Sequence, residues 1–405
     1  MDADEMALAR LPDEVIQDIL ARLPPRTIVR CLAVCKAWRS AVSAPTFHRA
    51  LAAHRPAAVV KVTSELAYFG KPWRYCKALL LDTFRGRCSR PWRHHALTWV
   101  VGSWDGVVCV DVEYTSRFGP DLDNTQPERR EREFVLWNPL TRACATVPTP
   151  APCGDRGVII GAYAHPATMR FHLLHAAGEA ERGLFAATAI RVRRVGDGGA
   201  WREVPLLEQQ EEEDGHDDAN MQLQRRRRTI IFLRMQASQS VSLHGNLHWM
   251  VQRGSGSTAR LNVLVFDTAR ERFRLMEAPP WDDSRGGGEK KGLAMSRVVV
   301  LSGVGKLFAV AVSPATSTME MWVLDDDDSS GGARAWRLAE RVGLVMWDKR
   351  DLSRAFSSAT QVAAVQGDAE GEEVILHNDG HIDAYSLRRR AWSTASVGTA
   401  SCGTT

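Results

Sequence analysis

The residues of this chain whose types could do chemistry do not assemble into a catalytic pattern. His94-His95 are adjacent, so in extended chain their rings leave on opposite faces. Asp325-Asp326-Asp327-Asp328 sets four carboxylates in a row, whereas a calcium loop spaces them around a fixed turn glycine. With Ser329-Ser330-Gly331-Gly332 behind them they read as a loop between strands. Gly286-Gly287-Gly288-Glu289-Lys290-Lys291-Gly292 lacks the closing Lys-Ser/Thr of a phosphate loop. The sequence contains no His-Glu-x-x-His or Cys-x-x-Cys for zinc and no Gly-x-Ser-x-Gly elbow. The expectation is no catalytic residue, no cofactor and no metal; a triad built from distant residues stays open at this level.

Binding chemistry is better represented. Leu11-Pro12-Asp13-Glu14 opens a segment in which Val15, Ile16, Ile19, Leu20 and Leu23 follow at helical spacing. Pro12 suits a first helical turn, whose N–H groups have no partner, and Asp13 and Glu14 place negative charge at the positive end of the helix dipole. Pro24-Pro25 ends that helix and opens the next. Ile28, Cys31, Leu32, Cys35 and Trp38 continue the spacing through a second and third short helix. Pro45 stops the run, and Phe47 and Leu51 begin another. A segment so short and so apolar cannot bury itself and needs a partner.

The Leu11-Pro12 opening, the Leu23-Pro24 break and the Val34-Cys35-Lys36-Ala37-Trp38-Arg39 close resemble an F-box, over about forty positions. That resemblance implies docking onto the Skp-type adaptor of a cullin-based ubiquitin ligase. It assigns adaptor contact to Leu11, Pro12, Ile16, Leu20, Leu23, Pro24, Val34, Cys35 and Trp38. Some of these must also hold the short helices together, and the sequence does not separate the two jobs. Ala41-Val42 departs from the larger Leu-Ile pair of many relatives.

Length and composition bound the rest. At 405 residues the chain exceeds one ordinary domain, so an F-box over 8–52 plus one large domain is expected. A net charge of +4 is nearly balanced and argues for neither nucleic acid nor membrane as partner. The start, Met1-Asp2-Ala3-Asp4-Glu5-Met6, is acidic where a secretory signal is basic and then apolar. Ser302, Gly303, Gly305 and Lys306 interrupt the longest apolar stretch, Val298 to Val312. The eight scattered cysteines then read as reduced thiols of a cytoplasmic or nuclear protein.

From about residue 57 the pattern changes to short β-rich runs. Examples are Leu97–Val101, Val107–Val110, Phe134–Trp137, Val158–Ile160, Leu247–Val251, Val263–Phe266, Val298–Leu301 and Met321–Leu324. Turn signals such as Trp104-Asp105-Gly106, His244-Gly245-Asn246 and Asn378-Asp379-Gly380 lie between them. A unit recurs in which a β-run ends in a polar turn and an aromatic or apolar residue opens the next strand. Its copies are Trp137 to Cys144, Ile190–Val192 to Trp201–Val204, Phe266 to Phe273, Trp322–Asp325 to Trp336–Leu338, and Tyr385 to Trp392. Single β-meanders expose edges and an apolar face, so they must stack or close into a ring.

Leu136-Trp137-Asn138-Pro139-Leu140-Thr141-Arg142 and Leu243-His244-Gly245-Asn246-Leu247-His248-Trp249 resemble phrases of the F-box-associated β-propeller of plant F-box proteins. The fold expected is thus a small all-α F-box of three short helices and a large all-β domain, a β-propeller over 97–398. Residues 53–96 would form a connecting segment and first strands. A β-sandwich or two unrelated β-domains are the alternatives. The tryptophans suit the spaces between sheets, where an indole N–H finds a carbonyl.

The segment 208–228 has too little apolar surface to offset the entropy of ordering and is expected to be a disordered charged loop. Its Arg225-Arg226-Arg227-Arg228 reads as part of that loop, with nuclear import or nucleic-acid contact as the alternative. Together the two resemblances imply a substrate receptor of an SCF-type ligase that grips the adaptor, and through it a cullin, while the β-domain binds an unidentified target protein. Alternatives are an F-box scaffold acting without a cullin, and a propeller enzyme or lectin-like binder.

Overall fold

The computed structural model describes residues 12–23, 25–31, 33–43 and 47, then 59–66, 74–82, 87–88, 92–94, 97–104, 107–115, 130–137, 144–150, 157–168, 170–181, 184–196, 198–206, 231–234, 240–254, 260–280, 296–301, 305–313, 317–325, 335–344, 361–366, 372–378 and 381–396. The chain divides into two units, Met1–Thr149 and Pro150–Thr405.

The first unit opens with helices α1 (Asp13–Arg22), α2 (Pro25–Cys31) and α3 (Lys36–Ser43). Pro12 stands one position before α1, with extended backbone, and its carbonyl accepts the Val15 and Ile16 N–H groups at 3.0 and 3.2 Å. Asp13 and Glu14 therefore fill the first turn, where the helix dipole favours them. Pro25 takes the first position of α2, where its missing N–H costs nothing. Cys35 caps α3: its Sγ accepts the Trp38 N–H at 3.4 Å, the role that serine or threonine oxygen usually fills. Leu20, Ala21, Ile28, Cys31, Val42 and Phe47 form the core of this bundle.

Two sheets complete the unit. The strands β1 (Val59–Leu66), β2 (Arg74–Asp82), β3 (Arg87–Cys88) and β4 (Trp92–His94) make one, with β3 and β4 both alongside β2. The 53–96 segment thus contains a sheet of its own. The other is a plain meander of β5 (Leu97–Trp104), β6 (Val107–Thr115), β7 (Arg130–Trp137) and β8 (Cys144–Pro148). Asp111, buried on β6, is held by Nε and one terminal nitrogen of the Arg132 guanidinium from β7, so its charge is paired where little water reaches it.

The second unit begins with β9 (Val158–Ala164), β10 (Phe171–Glu181), β11 (Leu184–Arg194) and β12 (Arg202–Val204). The next meander comprises β13 (Ile231–Arg234), β14 (Val241–Leu243), β15 (Asn246–Arg253), β16 (Arg260–Asp267) and β17 (Arg272–Glu277). These nine strands are one sheet, because β13 pairs with both β11 and β15. Two further meanders follow: β18 (Ser296–Leu301), β19 (Lys306–Ser313), β20 (Thr318–Asp325) and β21 (Ala335–Gly343), then β22 (Gln361–Gln366), β23 (Glu372–Asn378), β24 (His381–Ser386) and β25 (Ala391–Ser396). All pairings are antiparallel, and each of the eight β-rich runs falls within a strand.

The recurring sequence unit has one structural meaning. Trp137 faces Cys144, Ile190 faces Val204, Phe266 faces Phe273, Leu324 faces Trp336 and Tyr385 faces Trp392. Each copy is the last hairpin of its meander. Its facing side chains supply cross-strand contacts: the Phe266 and Phe273 rings lie 4.7 Å apart, and those of Tyr385 and Trp392 5.0 Å. Among the described residues β25 pairs only with β24, so the pairing of terminal strands expected of a closed ring is not observed, and the sheets stay open.

The charged segment 208–228 lies outside the described residues, between β12 and β13. Deleting it is expected to leave the cooperative thermal transition nearly unchanged, since the flanking strands are held by β11 and β15 and loop-closure entropy grows slowly with length. Calorimetry of the deletion variant checks this. An insoluble or far less stable variant would make the segment structural.

Candidate functional site

The apolar stripe of α1 is too wide for one core contact, and the helical turn splits it. Ile16, Leu20 and Leu23 face α2 and α3, with Leu20 only 1% exposed. Val15 and Ile19, one edge over, stay 42% and 47% exposed, and Val34, just before α3, reaches 63%. Pro12 is exposed at the same helix start, while Cys35 and Trp38 are half-buried. Leu11 and Pro24 lie outside the described residues.

The structure separates the side chains that pack the bundle from those that stay at its surface. Leu20 holds the bundle together, and Ile16, Leu23 and Trp38 pack partly against it. Val34, Pro12 and the unforeseen pair Val15 and Ile19 present apolar surface outward. Their signal was in the sequence: at about 100° per residue, positions 15 and 19 form one edge of the stripe, roughly a quarter turn on average from 16, 20 and 23. Apolar groups this exposed gain free energy only by meeting a partner. Among the described residues no group of three or more His, Cys, Asp or Glu is placed to hold a metal ion. Asp325 closes β20 and is engaged by Lys306 and Arg337; Asp326 to Asp328, and His95, lie outside the described residues.

In the second unit the Leu243–Trp249 phrase meets the Phe266–Phe273 copy of the recurring unit within the β13–β17 meander. His244 and Gly245 both have positive φ, 48° and 74°, which makes the two-residue turn of the β14–β15 hairpin. The Gly245 carbonyl accepts the Thr268 hydroxyl at 2.6 Å and its N–H at 3.1 Å, tying that turn to the one after β16. There Asp267 Oδ1 accepts the Ala269 and Arg270 N–H groups, both at 2.9 Å. Partial burial alone would raise the Asp267 carboxyl, but these bonds and the Arg270 side chain outweigh it and hold the group below the usual carboxylate range.

Tryptophan joins neighbouring meanders as expected. The buried Trp249 donates its Nε1–H to the Ile160 carbonyl at 2.7 Å, and Trp336 donates to the Glu277 carbonyl at 2.8 Å. Gly161 leaves the room: a Cβ there would stand 3.0 Å from the Trp249 ring.

Residues 8–53 match the F-box-like family, and residues 225–356 match the F-box associated beta propeller domain. The second match spans β13 to β21. F-box only protein 17 of Rattus norvegicus is 48% identical over 46 residues, 11% of this chain and 18% of its own length. F-box protein At2g34280 of Arabidopsis thaliana is 26% identical over 133 residues, 31% of this chain and 33% of its own. The chain thus spans about a third or less of these relatives. Among solved structures, the beta-propeller domain of Myceliophteria thermophila Cps50 (Swd1) aligns with 84% of this chain and 88% of its own, at 10% identity and a TM-score of 0.45.

The helices with their outward apolar face, followed along the chain by the β-meanders, define the class: an N-terminal F-box followed by a large all-β domain. More narrowly, an F-box-like segment at residues 8–53 and an F-box-associated segment at 225–356 stand in one chain, part of which is similar to F-box proteins of Arabidopsis thaliana.

Proposed function

We propose that this chain is the substrate-receptor subunit of an SCF-type ubiquitin ligase. The carrying observation is the outward apolar set Val15, Ile19 and Val34 on a bundle whose core is otherwise filled. A Skp-type adaptor covers that set, together with Pro12, Ile16, Leu23, Cys35, Trp38 and the unplaced Leu11 and Pro24; Leu20 acts by holding α1 in place. The meanders act as blades of a β-propeller that binds the target protein. The chain itself carries no chemistry in this reading. It raises the effective concentration of a target lysine near the charged conjugating enzyme.

Co-expression tests it. Adaptor and chain should purify as one complex, and the chain made without adaptor should be far less soluble, its apolar face uncovered. A soluble monomer that ignores the adaptor would overturn the proposal. If the adaptor binds but no cullin joins, the chain acts as an F-box scaffold instead. Capture of partners with the proteasome inhibited then identifies the target.

A further inference from the structure

Glu271 belongs to the turn between β16 and β17 and sits at a φ of 52°, a conformation that costs a non-glycine residue. Its carboxylate reaches out of its own meander. Oε1 accepts the Tyr163 hydroxyl from β9 at 2.6 Å, and Oε2 is held by the Arg202 guanidinium from β12. One side chain therefore ties the last hairpin of one meander to the first and last strands of the meander before it. His172 of β10 leans on this group. Its ring meets Tyr163 edge-on at 5.2 Å and His165 at 5.5 Å. Its Nδ1 is buried, has no hydrogen-bond partner, and stands 3.8 Å from Glu271 Oε1.

We infer that Glu271 is a latch between these two meanders and that His172 makes the latch acid-sensitive. The groups facing His172 are Tyr163 from β9, His165 just after it, Arg194 from β11, Arg202 from β12 and Glu271 from the β16–β17 turn. The single carboxylate among them is already engaged by Tyr163 and Arg202. A proton on His172 would put a cation in a largely desolvated place beside two arginines. Burial foremost, then the cationic neighbours against the pull of Glu271, hold its imidazole below the usual histidine range. The sign follows. Above the ordinary value of 6.5 the ring is neutral in both folded and unfolded chain, and the latch has full strength. As pH falls below it the unfolded chain takes up the proton first, and stability is lost.

Thermal unfolding of the full chain at pH 7.5 and 5.5 tests both halves. Glu271→Gln should melt about 2–4 °C lower at pH 7.5; an unchanged melting temperature overturns the latch. His172→Phe keeps the edge-on ring contact and cannot titrate, so it should lose less stability than wild type between the two pH values, by about 2 °C or more. His172→Gln, smaller and also without charge, repeats the test where the phenyl ring fits badly. A pH response in these variants equal to that of wild type overturns the acid sensitivity, because the titratable groups that remain would then account for all of it.

Discussion

Replacing Ile19 and Val34 together by aspartate is expected to abolish capture by a Skp-type adaptor while leaving the helices folded. Both side chains are largely exposed, so the substitutions remove nothing from the bundle core of Leu20, Ile28, Val42 and Phe47. At a docking surface they do the opposite of what the partner needs, because each carboxylate must be desolvated without a counter-ion. Truncating an interface anchor costs about 2–4 kcal/mol, so the pair should weaken binding by roughly a hundred-fold or more. Leu20→Ala is the contrasting variant. It opens a cavity in a small bundle, costs about 2–5 kcal/mol, and should lose helical signal together with binding. Titration of adaptor against each variant, with circular dichroism alongside, separates the two. Undiminished binding by the double aspartate variant would move the docking surface elsewhere.

The contrast also shows what the sequence could tell. Apolar spacing revealed the helices of the bundle, because proline and the period-3.6 pattern act locally. It also revealed the strands that hold the eight β-rich runs, and the five final hairpins, where an aromatic or apolar pair faces across the last two strands of each meander. It did not reveal β10 or most of β11. Leu173, Leu174, Ala176 and Ala177 are all buried, so this strand is covered on both faces and shows no alternation. Its alanines and leucines favour helix locally; pairing with β9 and β11 overrides that preference. The latch at Glu271 was invisible for a different reason. Tyr163 lies 108 positions away, and no local rule brings the two together.

A chain ending at Asp379 should aggregate rather than give a shorter soluble domain. The cut removes β24 and β25, and β23 then loses its pairing from Asn378 to Glu373, leaving a row of free N–H and C=O groups. Tyr385 goes with them. Its ring is buried among Val310, Met321 and Val374, and its hydroxyl donates to Glu340 on β21 at 2.8 Å, where Arg390 also stands 3.5 Å away. Burial first, then that carboxylate, push the phenol up to about 12, so it remains a neutral donor throughout the physiological range. The truncation thus exposes an unpaired edge and an apolar face together, and leaves Glu340 without either partner. This expectation rests on packing within the second unit and not on closure of a ring. Tyr385→Phe isolates the polar part: it keeps the ring, loses the hydrogen bond, and should cost about 1–2 kcal/mol. Size-exclusion chromatography with light scattering, and thermal melts, report both. A truncated chain that stays monomeric with an unchanged melting temperature would show that the last two strands carry none of this stability.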